Sequence, residues 1–243
     1  MPRTWTCLSA RAQHCLPSIM DNLDFIHECG QGSSTATLKA VLPSGQVCHV
    51  SDNIDPYRFI EECPLLFHAF ECGHRGRLEA SLDVPSKTAI VSLLRYCYTG
   101  DYLDACAHVE HPTLLLHVHL YKIAVRFDIP ELQRLIHGNF ACQMETAACL
   151  PRLPQHLLDT IRFIYEHFDD SMSPIQHGLV NILRNYCIST YIYHKLGMNK
   201  EFLNLISEIP AFHQDLCRTV MERDFVDDCR RLCRAQSDYT NAY

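Results

Sequence analysis

Histidines are the first side chains in this sequence that could do chemistry, and there are 15 of them. The densest cluster holds His108, His111, His117 and His119. A structural zinc ion takes four ligands, usually in paired short spacings. On a helix His119 shares a polar face with Lys122, whereas His117 points almost the opposite way, so these two cannot ligate one ion. We interpret His117 as a buried, neutral core histidine and the other three as solvated, and we predict no metal site.

Cysteines are the second group, with 14 in the chain and no C-x-x-C pair. Cys229 and Cys233 lie one helical turn apart, and Cys72 lies two residues before His74, but no second pair completes either set as a metal site. Arginines flank Cys229 and Cys233, and positive charge favours a reactive thiolate. A cysteine-based redox- or metal-responsive regulator is therefore one hypothesis. The sequence places other cysteines inside apolar helical patterns, which is typical of reduced thiols acting as small hydrophobic side chains: Cys97, Cys187 and Cys217.

Catalytic motifs are not found. The sequence has no G-x-S-x-G nucleophile elbow. The glycine-containing stretch 30–34 lacks the Gly-Lys-Ser/Thr ending that reaches nucleotide phosphates. The paired acids Glu61-Glu62 and Asp169-Asp170 are typical of a solvated surface. We therefore predict a protein without catalytic residues or a cofactor.

Composition limits the partners. The 243 residues are 47% hydrophobic, enough for one substantial core or two smaller ones. A net charge of −7 argues against a nucleic-acid partner, which requires a basic face. We find no apolar run near the ~18 residues that span a bilayer and no secretory signal pattern. These observations predict an intracellular protein without a membrane partner, with residues 1–20 as a disordered tail.

The chain is organised around residues 84–129. Ile90, Leu93, Leu94 and Cys97 recur at three- and four-residue spacing, which lines one face of a helix. Gly100 is expected to end this helix, because glycine adopts the left-handed conformation at little cost. Residues 112–113 are expected to start a second, largely apolar helix.

These two helices carry a family resemblance. The stretches LLRYCYTGDYL and LLLHVHLYKIAVRFDIPELQRLI closely resemble the BTB/POZ domain, in the form common in fungal single-domain proteins. The resemblance implies an α+β fold in which a small mixed sheet is flanked by helices. It also implies that the domain self-associates or engages a cullin-type ubiquitin-ligase scaffold.

The segment before residue 84 resembles the family more loosely. We predict a short helix over 21–29, a β-hairpin from 35–42 and 47–51, a helix starting at Asp55-Pro56, a break at Pro64 and a third strand over 77–84. Thr35 stands where the family usually carries aspartate, and Cys63 where it carries serine. Any role that the family gives to that aspartate is not carried over.

The segment after Pro130 is expected to be helical throughout. Residues 141–153 look like a domain boundary, and three helical patterns follow: one at 157–168, one that starts at Ser173-Pro174 and ends at Gly197, and one capped by Asn199. FIYEHF and EFLNLISEIPAFHQDL resemble the helical extension of fungal BTB proteins. The predicted organisation is a BTB/POZ domain at 21–141 and an all-α extension at 151–235.

The last segment carries two apolar stripes that one straight helix cannot bury on one surface. At ~100° per residue, Phe225, Val226, Cys229, Leu232 and Cys233 fall roughly 150° round the helix from the first stripe, which is Leu216, Cys217, Val220 and Met221. We predict a break near Arg223-Asp224, or a second half that docks elsewhere, such as on a partner through Phe225 and Val226.

The favoured function is a non-enzymatic protein–protein interaction module of the BTB/POZ type. In the family the N-terminal helix contributes to a two-fold dimer, and the matching residues are Leu23, Phe25 and Ile26. Simple packing of these three side chains against the strands is the alternative. A narrower hypothesis is a substrate adaptor for a cullin-type ubiquitin ligase, with the helical half recruiting the substrate.

Overall fold

The structure, a computed structural model, describes residues 23–29, 35–73, 76–103, 112–168 and 174–223. The chain is α+β. Its described helices are α1 (Asp24–Cys29), α2 (Phe59–Glu62), α3 (Pro64–His68), α4 (Lys87–Thr99), α5 (Leu114–Arg126), α6 (Pro130–Ala148), α7 (Leu157–His167), α8 (Pro174–Thr190), α9 (Lys200–Glu208) and α10 (210–223). Short 3₁₀ turns lie at Pro56–Arg58 and Leu196–Met198.

The described strands form a four-stranded mixed sheet in the order β2-β1-β4-β3. Its strands are β1 (Ala36–Val41), β2 (Val47–Ile54), β3 (Glu71–Cys72) and β4 (Leu78–Asp83). The predicted hairpin is confirmed as the antiparallel pair β1–β2, and β1 pairs with β4 in parallel, Leu38 opposite Ala80. The two-residue strand β3 was not predicted, because two residues are too short for an alternating pattern to show.

Cap chemistry fixes the ends of the central helices. Ser86 accepts a hydrogen bond from Ala89 N at the start of α4, and Thr113 accepts one from Leu116 N at the start of α5. Gly100 ends α4 with φ 80°, a left-handed conformation that costs other residues energy. The predicted helix end at Gly100 and helix start at residues 112–113 are both confirmed.

Helix α6 differs from the expectation. It runs through Ala141 to Ala148 and packs on both α5 and α8. The predicted end of the first domain, at residue 141, therefore falls inside a helix that contacts both halves of the chain. The segment 141–148 is rich in good helix formers and the prolines come only at 151 and 154, so nothing local stops the helix earlier.

The helical half is otherwise close to the expectation. α7 is confirmed, with Leu157, Ile161 and Ile164 buried, and Asn199 caps α9 through its side-chain oxygen. The helix expected to reach Gly197 ends instead at Thr190 and is followed by turns. One buried apolar cluster runs from Phe25 through the sheet and α4–α6 into the helical half.

Candidate functional site: buried polar groups and exposed apolar surfaces

The predicted dimer residues of α1 lie against α4 of the same chain. Phe25 and Ile26 are only 5% and 3% exposed. The Phe25 ring meets the edge of Tyr98 at 5.9 Å between centroids, and the Arg95 guanidinium lies 4.7 Å from the Phe25 centroid. Phe25 and Ile26 are therefore covered within the chain, by α4 rather than by the strands that the packing alternative named. Phe25 and Ile26 are not exposed anchors.

Of the other predicted interaction residues, one lies within the described residues and two lie outside them. Leu23 is half-buried and packs against the same core as α1. Phe225 and Val226 lie outside the described residues, as do Cys229, Cys233 and the tail at 1–20. The predicted partner contact through Phe225 and Val226 stays a prediction.

His117 is fully buried and lies in a chain of hydrogen bonds that leads to the partly buried Gln143. The Gln143 amide donates through Nε2 to the Pro112 carbonyl, which leaves Gln143 Oε1 as an acceptor for His117 Nε2–H at 2.8 Å. His117 Nδ1 then accepts from the Tyr102 hydroxyl at 2.7 Å. Burial lowers the pKa of His117 to about 4, so the ring is neutral near pH 7. The predicted buried, neutral core histidine is confirmed.

His119 is not solvated, contrary to the expectation. Its ring lies between the two halves of the chain, 4.5 Å from the Phe163 centroid on α7, with Nδ1 3.1 Å from Ser86 Oγ. Burial, with the neighbouring positive charges of His167 and Lys122, lowers the pKa of His119 to about 4. The polar-face assignment failed because α7 packs on that face of α5.

Metal ligation finds no geometric support in the part of the chain that the structure describes. Within it no three or more histidine, cysteine or acidic side chains lie close enough to hold an ion. His74, His108, His111, Cys229 and Cys233 lie outside that part.

The described thiols fall into two environments. Cys97 and Cys187 are buried, as their helical patterns predicted, whereas Cys217 is exposed. Burial raises the pKa of the Cys187 thiol to about 12 and that of Cys63 to about 11, so neither thiol forms a thiolate near pH 7.

An exposed apolar face is formed by the 3₁₀ turn and the two short helices α2 and α3. Tyr57, Ile60 and Leu65 are 56%, 47% and 49% exposed, and we call these three residues the α2–α3 face. Pro64 separates the two helices, because proline disfavours helical geometry in the residue before it. Sequence reasoning did not single out this face. The signal that could have found it was the spacing, because Phe59 and Cys63 already fill the buried side of this short helix.

A second apolar surface is a groove of about 580 Å³ between α8, α9 and α10, which we call the α8–α10 groove. Its walls include Ile192, Leu203, Ile206, Leu216, Val220 and Met221. The first of the two stripes noted in the sequence therefore forms one wall of an open groove, with Met221 71% exposed. The side of α10 that packs on the core carries Phe212 and Thr219 instead.

A polar concavity of about 550 Å³ lies near the start of α7 and α9. Arg162 in its wall pairs with Asp159 at 3.3 Å and with Glu208 at 3.3 Å. The arginine is thus engaged by two carboxylates of its own chain, which weakens its attraction for an anionic ligand.

In comparisons with known proteins, no protein-family model and no curated protein matches the chain. Among the described helices, none has the length and apolar character needed to cross a lipid bilayer.

Proposed function

We propose that the chain is a non-enzymatic protein-interaction module of the BTB/POZ type, and that its α2–α3 face contacts the partner. Two features support the domain type. The LLRYCYTG stretch forms α4 and its glycine cap, and a small mixed sheet is flanked by helices, as the resemblance implies.

The observation that carries the proposal is the α2–α3 face itself, in which three large apolar side chains are exposed next to a buried aromatic cluster. Phe59 is fully buried beneath it and stacks on Phe70 at 5.9 Å between centroids. Tyr98, from the YCYTG stretch of α4, meets Phe59 at 6.3 Å and accepts a hydrogen bond from Asp55 N at 2.8 Å. Large apolar side chains on a fixed backbone lose little entropy on binding and act as anchors.

Exposed charged residues accompany the α2–α3 face along the chain. Arg58 and the acidic pair Glu61-Glu62 are interspersed with the apolar residues, so the face has an apolar centre and charged positions beside it. This arrangement matches a protein interface with an apolar core and a polar rim. A second copy of the chain and a cullin-type scaffold are the two partners that the resemblance names.

The test replaces Ile60 and Leu65 together with aspartate. Self-association is measured by sedimentation, and scaffold binding by titration with a purified cullin N-terminal region. We expect the wild-type chain to associate in one of the two assays, and the double variant to bind about tenfold more weakly or worse, since apolar anchors supply most of the binding energy.

Val47→Asp is the matched control, because Val47 is also an exposed aliphatic side chain but lies on β2. It should bind like the wild type. A wild-type chain that binds neither itself nor the scaffold contradicts the proposal, as does equal binding by the double variant and the wild type.

A further inference from the structure

The floor of the α8–α10 groove belongs to the buried core. Cys187 of α8 and Phe202 of α9 line the groove and are only 1% and 0% exposed. The Phe202 ring meets the Phe212 ring at 6.1 Å between centroids, and Phe212 is itself fully buried. Because core side chains are close-packed, this floor is formed before anything binds.

The connection between α8 and α9 supplies one wall of the groove. Tyr191 lies in this turn, and its backbone carbonyl accepts a hydrogen bond from Leu196 N at 3.0 Å. A Cβ at Gly197 would overlap the Tyr191 hydroxyl, so glycine at this position allows the tyrosine side chain to lie against the turn. Tyr191 and Ile192 therefore line the groove from a segment that is closed by its own backbone hydrogen bonds.

The chemistry of the groove wall is almost entirely apolar. Among the described residues that line it, none is a lysine, arginine, aspartate or glutamate. Of these same residues only Tyr191 and His213 carry a side-chain oxygen or nitrogen atom. An ion or a strongly polar ligand would give up its hydration here and receive few hydrogen bonds in return, which costs free energy. The groove therefore favours an uncharged occupant.

The size of the groove suits a small molecule. Its volume of about 580 Å³ lies within the range of roughly 300–1,000 Å³ that is typical of small-molecule pockets. A partner protein forms about ten direct hydrogen bonds across an ordinary interface, and the side chains of the described wall offer few groups for them.

We propose that the α8–α10 groove is the binding site of an uncharged, apolar small molecule. Such a ligand covers Ile192 and Met221, which are 88% and 71% exposed, and the removal of this surface from water stabilises the complex. The flexible Met221 side chain adapts to the shape of the ligand. This site is separate from the α2–α3 face.

A pair of fluorescent probes with the same ring skeleton tests the selection against charge. N-phenyl-1-naphthylamine is uncharged, whereas 8-anilino-1-naphthalenesulfonate carries an added sulfonate. The full chain is titrated with each probe, and the fluorescence is recorded. We expect saturable binding of the uncharged probe at one molecule per chain. The sulfonate should bind about tenfold more weakly or worse, because the wall provides no partner for its charge.

Two exposed methionines provide matched variants. Met221→Asp places a carboxylate in the groove wall, whereas Met198→Asp makes the same change at a methionine that is 80% exposed and lies outside the groove lining. Met221→Asp should bind the uncharged probe about tenfold more weakly, and Met198→Asp should bind it like the wild type. The variant with Ile60→Asp and Leu65→Asp should also bind it like the wild type, so this proposal and the proposed function of the α2–α3 face fail separately.

Cysteine alkylation shows where the probe binds. Cys217 is exposed and lines the groove, whereas Cys142 is exposed on α6 and lies outside the groove lining. A saturating concentration of N-phenyl-1-naphthylamine should slow the alkylation of Cys217 about tenfold and leave that of Cys142 unchanged, as measured by peptide mapping.

Four results overturn the proposal. A wild-type chain without saturable binding of the uncharged probe has no such site. Equal binding of the two probes means that the groove does not select against charge. Unchanged alkylation of Cys217 means that the probe binds elsewhere. A wild-type dimer in sedimentation that Met221→Asp separates, and Met198→Asp does not, means that a second copy of the chain occupies the groove.

Discussion

Replacing His117 with glutamine should remove a large acid-dependent loss of stability. The ring is fully buried, and burial lowers its pKa from 6.5 to about 4. A base whose folded pKa is depressed contributes its full stability above the unfolded pKa, and this contribution is lost as the pH falls toward the folded value. At about 1.4 kcal/mol per pKa unit, His117 accounts for a loss of about 3 kcal/mol between roughly pH 7.5 and pH 4.

Glutamine does not titrate in this range. The His117→Gln variant should be less stable than the wild type near neutral pH by about 1–3 kcal/mol, because the Tyr102–Gln143 connection is broken. The difference should shrink as the pH falls, as the wild type loses the contribution of its neutral histidine. Urea unfolding, measured at several pH values across this window, gives the difference directly.

His177→Gln is the matched control, because His177 is exposed on α8. Its free energy of unfolding should run parallel to that of the wild type at every pH. Parallel curves for the wild type and His117→Gln would refute the reasoning, since they would mean that His117 contributes equally in both protonation states.

Three further predictions concern stability and thiol chemistry. Gly100→Ala should lower the free energy of unfolding by about 1 kcal/mol, because the φ of 80° at this position strains any residue with a Cβ. Gly138→Ala should raise the free energy of unfolding by about 0.5–1 kcal/mol, because Gly138 lies inside α6 with open space around it. Urea unfolding measures both. Asp215→Ala should lower the free energy of unfolding by about 1–3 kcal/mol in the same measurement. The half-buried Asp215 carboxylate accepts a hydrogen bond from the Tyr165 hydroxyl of α7 at 2.9 Å and pairs with Arg184 of α8 at 3.4 Å. In a thiol titration of the native protein with peptide mapping, exposed Cys142 should be labelled quickly, whereas Cys187 should be labelled only on unfolding. The reason is that burial raises the pKa of the Cys187 thiol to about 12. Fast labelling of Cys187 would contradict this burial.

Local signals accounted for the elements that the sequence predicted correctly. The ends at Gly100, Thr113 and Asn199 depend on hydrogen bonds between a residue and its neighbours one to four positions away, so they can be predicted before any tertiary contact is known. The hairpin β1–β2 could also be predicted, because its two strands follow each other in the chain and are joined by a short turn. The end of α8 at Thr190 was missed because no glycine or proline marks it.

Exposure was predicted less well than secondary structure. Phe25 and Ile26 were predicted either as dimer contacts or as simple packing against the strands, and they are buried on α4, while His119 was expected in solvent and lies under α7. The exposure of Ile60, which is nearly half exposed, was not predicted. In each case the residue type and spacing define a face of the helix, and the element that covers this face comes from a distant part of the chain.

The sequence alone thus determined most of the helices and the hairpin, because periodicity and capping are properties of neighbouring residues, and the resemblance implied the α+β class. It also separated His117 from His119, since residues two apart on a helix point in different directions. Among the residues that the structure describes, only the tertiary structure decided that the α2–α3 face and the α8–α10 groove are exposed. Whether an apolar side chain is core or contact surface depends on contacts made by residues far apart in the chain, and these contacts leave no trace in local spacing.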